Sequence, residues 1–156
     1  MAKNNKKRAI RRKVGDVLRI PLGNEEYGFG RVLPSVLYAF YDAKSHHVLS
    51  IDEIIGRPVL FKVCVMDYAV KKGVWEVIGN APLTEDLLTE PWFFKKDPIS
   101  GVLTLYRDST SEEILAKRSD CEKLECAAVW DPEHVADRLR DHFAGRPNKW
   151  VMSMRP

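Results

Sequence analysis

Three short apolar runs crowd the start of the chain: DVLRIPL (Asp16–Leu22), EYGFGRVL (Glu26–Leu33) and VLYAFYD (Val36–Asp42). Each is rich in β-branched or aromatic residues, and the turn signals GN and PS separate them. The spacing predicts an antiparallel meander. Within the second run, Gly28 and Gly30 alternate with Tyr27 and Phe29. Glycine inside a strand marks a bulge or a close approach of another segment, so YGFG reads first as a folding feature. Tyr27, Phe29 and Arg31 share one face, which is expected to alternate a core ring with an exposed tip.

Further along, LSIDEIIGRP suggests a short helix with a capping box between Ser50 and Glu53 and a left-handed stop at Gly56. Val59, Phe61, Val63 and Val65 alternate, which predicts a strand. With KKG as a turn and VWEVIGN as the return, residues 58–80 read as a long hairpin. Thr84 is a natural cap for a short turn that ends at Pro91. WFFKK and VLTLY make a second hairpin, with Asp97, Pro98 and Gly101 in its loop. DSTSEEILAKRS reads as a short helix, EKLECAAVW favours strand, and KWVMSM reads as a final strand.

The best helix is DPEHVADRLRDHFAG. Asp131 caps it, Pro132 occupies its first position and Gly145 ends it. Val135, Leu139 and Phe143 form its apolar stripe, with Ala136 beside them. The expected fold class is therefore α+β: a twisted antiparallel sheet with one main helix near the C-terminus packed on it. The curl of the first strands is compatible with a partly open barrel.

Charge divides the chain. Residues 1–13 carry seven basic side chains and no acid, while the remainder holds 18 basic against 22 acidic residues. The expected organisation is a basic, disordered leader over residues 1–13 and one α+β domain over residues 14–156. Cys64, Cys121 and Cys126, odd in number and irregular in spacing, describe no disulfide framework and point to a reduced, cytoplasmic protein. No run of about 18 apolar residues occurs, so no membrane partner is expected.

Catalytic signatures do not emerge. The chain has no phosphate-binding glycine loop ahead of a helix, no GxSxG, no HExxH and no CxxC. His46 and His47 are adjacent and point apart, and His134 and His142 flank Arg138, which would repel a cation. The four carboxylate pairs sit at turns or helix starts, where turn chemistry and the helix dipole explain them. Neither a cofactor nor a metal is expected, and Trp75, Trp92, Trp130 and Trp150 read mainly as core.

VGDVLRIPLGNEEYGFGRVL, AFYD, RPVLFKVCVMDYAVKKGVWEVIGNAPL and WFFKKD, in that order, resemble immunity protein family 26 over about Val14 to Asp108. That resemblance implies a mostly β, non-catalytic protein that neutralises a bacterial toxin by binding it. An acidic body would speed association with a basic toxin. Exposed acids at Glu25, Glu26, Asp52, Glu53, Glu85, Asp86 and Glu90 are the expected contacts. Two other functional classes are weighed against this one. A nucleic-acid-binding module would use residues 1–13 with Arg138, Arg140, Arg146 and Lys149. A small hydrolase would need a deep polar pocket at His46 or His134.

Overall fold

The computed structural model describes residues 8–156. Its chain starts with β1 (Asp16–Gly23), β2 (Glu26–Val32) and β3 (Leu37–Ser45), the expected meander. Asn24 and Glu25 turn β1 into β2 with both φ values positive, the geometry that matches the twist of a two-residue hairpin. Helix α1 (Ile51–Ile55) has the reciprocal Ser50–Glu53 capping box. Its last turn closes at Gly56 in right-handed geometry, φ −78°, so the left-handed stop is corrected.

β4 (Val59–Val65) pairs with β3, and helix α2 (Tyr68–Lys71) follows where the long hairpin was expected to continue. β5 (Glu76–Asn80) then pairs with β1, at the opposite edge of the sheet. Residues 58–80 are thus a crossover and not a hairpin. Burial explains the detour: Ala69, Val70 and Trp75 are fully or almost fully buried, and Trp75 packs edge-on against Tyr38 and Phe40. The connection is core, and an exposed hairpin turn would waste it.

Helix α3 (Glu85–Leu88) leads to a second sheet of β6 (Phe93–Lys96), β7 (Leu103–Arg107), β8 (Glu112–Ala116) and β9 (Glu125–Cys126). Thr84 flanks α3, but its hydroxyl donates to the Asp86 carboxylate and caps no amide. The expected helix in DSTSEEILAKRS is corrected: residues 112–116 extend the β6–β7 hairpin as an edge strand, and only α4 (Arg118–Cys121) is helical. Ile114 and Leu115 are good strand formers, and register with Leu105 and Thr104 outweighs the acids that suggested a helix start.

β10 (Val129–Trp130) returns to the first sheet, parallel to β4, giving the order β10-β4-β3-β2-β1-β5. Helix α5 (Pro132–Ala144) follows, capped by Asp131 and ended by Gly145 at φ +66°, as expected. The last element, α6 (Lys149–Ser153), is a helix capped by Asn148, which corrects the expected strand. The molecule is α+β, two mostly antiparallel sheets that do not close into a barrel, with α5 as the main helix.

One face of the six-stranded sheet lies under α5. Val135 and Leu139 join Leu18, Ile20, Val32, Tyr38, Phe40, Phe61 and Val63 in the largest core cluster. Gly28 makes this possible, because a Cβ there would stand 3.1 Å from Leu139 Cδ1. Gly30 is equally confined, by the Ala39 carbonyl oxygen and the Phe40 ring, and the β2–β3 register shifts between the two glycines. YGFG is therefore the place where the sheet bends to admit the helix. The opposite face packs Val17, Phe29 and Tyr41 with Ile54 of α1, then Leu37 and Ala39 with Leu87 of α3 and Phe93 of the second sheet.

Arg31 corrects another expectation, since its tip is buried (1% exposed). Its guanidinium donates to the carbonyl oxygens of Ala81 at 2.6 Å and Pro82 at 3.4 Å and to the Tyr41 hydroxyl at 3.3 Å. Leu139→Ala should lower unfolding free energy by about 2–5 kcal/mol in urea titration. Arg31→Ala should lower it by at least ~2 kcal/mol, because it strands a buried carbonyl and a buried hydroxyl.

Candidate functional site

The expected contact acids are scattered over the surface, and most have local work. Glu25 is exposed in the β1–β2 turn. Glu26 faces Lys44 at 3.5 Å and His46 at 3.3 Å. Asp52 and Glu53 open α1, and the Ser50 backbone amide holds the Glu53 carboxyl below its usual range. Glu85 and Asp86 open α3, where the Thr84 hydroxyl lowers the Asp86 carboxyl and Lys62 donates to the Asp86 backbone oxygen at 2.6 Å. Glu90 stands at a hollow.

That hollow, of about 190 Å³, forms where four distant segments meet. The β2–β3 loop supplies Pro34 and Ser35, β4 supplies Cys64, the α3–β6 segment supplies Leu87, Leu88 and Phe93, and the β7–β8 turn supplies Asp108 and Ser109. Cys64, Phe93 and Asp108 also border an adjoining hollow of about 300 Å³ that extends to Val36, Tyr106 and Val129. Apolar side chains at the margins face solvent, Leu88 at the first hollow 57% exposed, and Val129 and Val36 at the second 57% and 43%.

Each wall is fixed by its own contacts. Arg12 donates to the carbonyl oxygens of Leu33 at 2.7 Å and Leu37 at 3.0 Å, bracketing the Pro34–Ser35 loop. The segment expected to be leader thus contributes a residue that shapes this loop; residues 1–7 lie outside the described residues. Glu90 accepts from the Ser109 backbone amide at 3.0 Å, tying α3 to the β7–β8 turn. Asp108 accepts from the Tyr106 hydroxyl at 2.7 Å. Among the described residues, neither Glu90 nor Asp108 forms an ion pair. Lys95, in the adjoining hollow, is engaged by Glu113 at 2.8 Å and lies over the Tyr106 ring.

The floor registers this environment. Burial, then the charges of Asp108 and Glu90, push the Cys64 thiol up to about 11. A thiol held protonated in this way is a poor nucleophile at neutral pH. The arrangement offers an apolar floor and a negative rim, which suits recognition.

The other expected residues fall elsewhere. His46 is 60% exposed beside Glu26, and His134 stacks on Trp150 with ring centroids 3.7 Å apart. Cys64, Cys121 and Cys126 are all unbridged thiols. Arg138 makes a two-pronged pair with Glu125 and lies 3.6 Å from the Phe61 ring centroid. Arg140 is bound by Leu22 and Asp137, Arg146 faces Asp141, and Lys149 covers Trp150. No helix among the described residues is long and apolar enough to cross a membrane.

The fold and the site define a two-sheet α+β body that carries an apolar, acid-rimmed hollow. The family model described as immunity protein 26 matches residues 13–102, more than half of the chain, and the chain belongs to that family. Neither the curated proteins nor the solved structures compared give a match.

Iodoacetamide should label Cys64 slowly at pH 8, and the rate should climb toward pH 10–11 as the thiolate forms. Asp108→Asn removes a charge that opposes ionisation, so labelling at pH 9 should quicken. Peptide mass spectrometry would read both; equal rates in parent and variant across this range would contradict the assignment.

Proposed function

We propose that this protein neutralises a cognate toxin by binding it directly, with no catalytic step of its own. Membership of the immunity protein 26 family carries this reading, because the family implies toxin neutralisation. The site is consistent with it. Its one strongly perturbed group on the hollow's floor is a thiol held in the unreactive form. The excess of acids over bases outside residues 1–13 favours a basic partner and an electrostatically steered encounter.

The nucleic-acid reading gains no comparable support. Arg138, Arg140, Arg146 and Lys149 each already face a carboxylate, a carbonyl or a ring. Truncation before Arg8 is a cleaner test than removal of residues 1–13, because it retains the Arg12 contacts.

The deciding experiment is co-expression with the toxin domain encoded beside this gene. Growth rescue together with co-purification of a complex is expected, and the form lacking residues 1–7 should rescue equally. A lethal toxin that is neither bound nor suppressed would overturn the reading. The association rate should also fall by about tenfold or more between low and physiological salt. A flat salt response would remove the acids as contacts.

A further inference from the structure

Resting on the toxin-binding reading, we propose that the hollow floored by Cys64 and Phe93 is the docking point for one toxin segment. That segment presents an apolar side chain next to a Lys or Arg. The first observation is shape. About 190 Å³ is less than the roughly 300–1,000 Å³ usual for small-molecule pockets, and it is the scale of a single side-chain anchor. The second is surface chemistry. Leu88 is exposed at its rim, above a floor already packed into the core cluster of Leu37, Leu87 and Phe93, and Val36 and Val129 are exposed around the adjoining hollow that shares Cys64 and Phe93. Covering such a patch with an apolar side chain gains roughly 25 cal/mol per Å² removed from water.

Charge selects the occupant. Glu90 and Asp108 stand at the rim, and among the described residues no cation pairs with either. Three nearby cations are engaged elsewhere: Arg12 by the Leu33 and Leu37 carbonyl oxygens, Lys95 by Glu113, and Arg107 by the Trp92 ring, 4.1 Å from its centroid. A phosphate-bearing partner would be repelled here. A lysine or arginine would find two carboxylates whose desolvation on docking it offsets. Leu88 and Glu90 lie two residues apart, so one incoming strand or loop can reach the apolar and the charged element together.

The test uses the full chain and the toxin domain it neutralises in co-expression, with binding kinetics at two salt concentrations. Leu88→Asp should weaken binding at least tenfold, chiefly through faster dissociation. The double variant Glu90→Gln/Asp108→Asn should also lose tenfold or more, with slower association and a shallower salt dependence. The comparison pair Glu122→Gln/Glu133→Gln, at exposed acids outside the hollow and outside the expected contacts, should stay within twofold. Thermal melts establish that each variant folds. Should one fail, amide exchange in the parent complex serves instead, with protection expected at residues 34–37 and 87–93. Parent-like binding by folded hollow variants, or no protection there, overturns this surface and leaves the toxin-binding reading standing. A parent that neither binds nor rescues removes both.

Discussion

The buried guanidinium of Arg31 decides how the two sheets meet. It sits on β2, inside the six-stranded sheet, and holds the carbonyl oxygens of Ala81 and Pro82. Those residues begin the passage from β5 to α3 and the second sheet. A charge taken out of water is expensive, and among the described residues no carboxylate pairs with this one. Carbonyl dipoles and the Tyr41 hydroxyl offset the cost only while the passage stays where it is. Arg31 therefore acts as a positional constraint, and α3, Leu87 and Glu90 follow from the same passage.

On the other face of β2 the constraint is one of space. Gly28 and Gly30 leave a depression that Leu139 and the Phe40 ring occupy, so strand and helix are fitted to each other residue by residue. This couples the region matched by the family to α5, which lies beyond it. Val135 and Leu139 share a core cluster with Leu18 and Val63, and β10 extends the sheet beside β4. The last third of the chain is structurally continuous with the first two.

Local signals carried much of this fold. Short turns of two and four residues fixed the meander, Asp131-Pro132 and Gly145 bounded α5, and Ser50 with Glu53 announced α1. What failed was long-range choice. VWEVIGN is strand-like wherever it pairs, and nothing local reveals that its partner is β1 at the far edge and not β4 beside it. SEEILA has acids suited to a helix start, yet an unfilled hairpin edge claims it. Arg31 looked like an exposed tip because alternation gives the face and not the depth.

The hollow was less legible for the same reason. Acidic residues can be found in a sequence, but their occupations cannot: Glu53 caps a helix, Glu26 faces Lys44 and His46, and Asp86 accepts from Thr84. Glu90 was visible as an acid and Asp108 was overlooked, since only the fold brings the β7–β8 turn to β4. Their positions divide the hollow. Cys64, Leu88, Glu90 and Phe93 fall within residues 13–102, whereas Asp108, Ser109 and Val129 fall after them. A chain that kept the matched region and changed the β7–β8 turn would keep the apolar floor and alter the charge facing its occupant. In that arrangement the floor supplies attraction to any apolar anchor, and the turn decides which neighbouring charge is accepted.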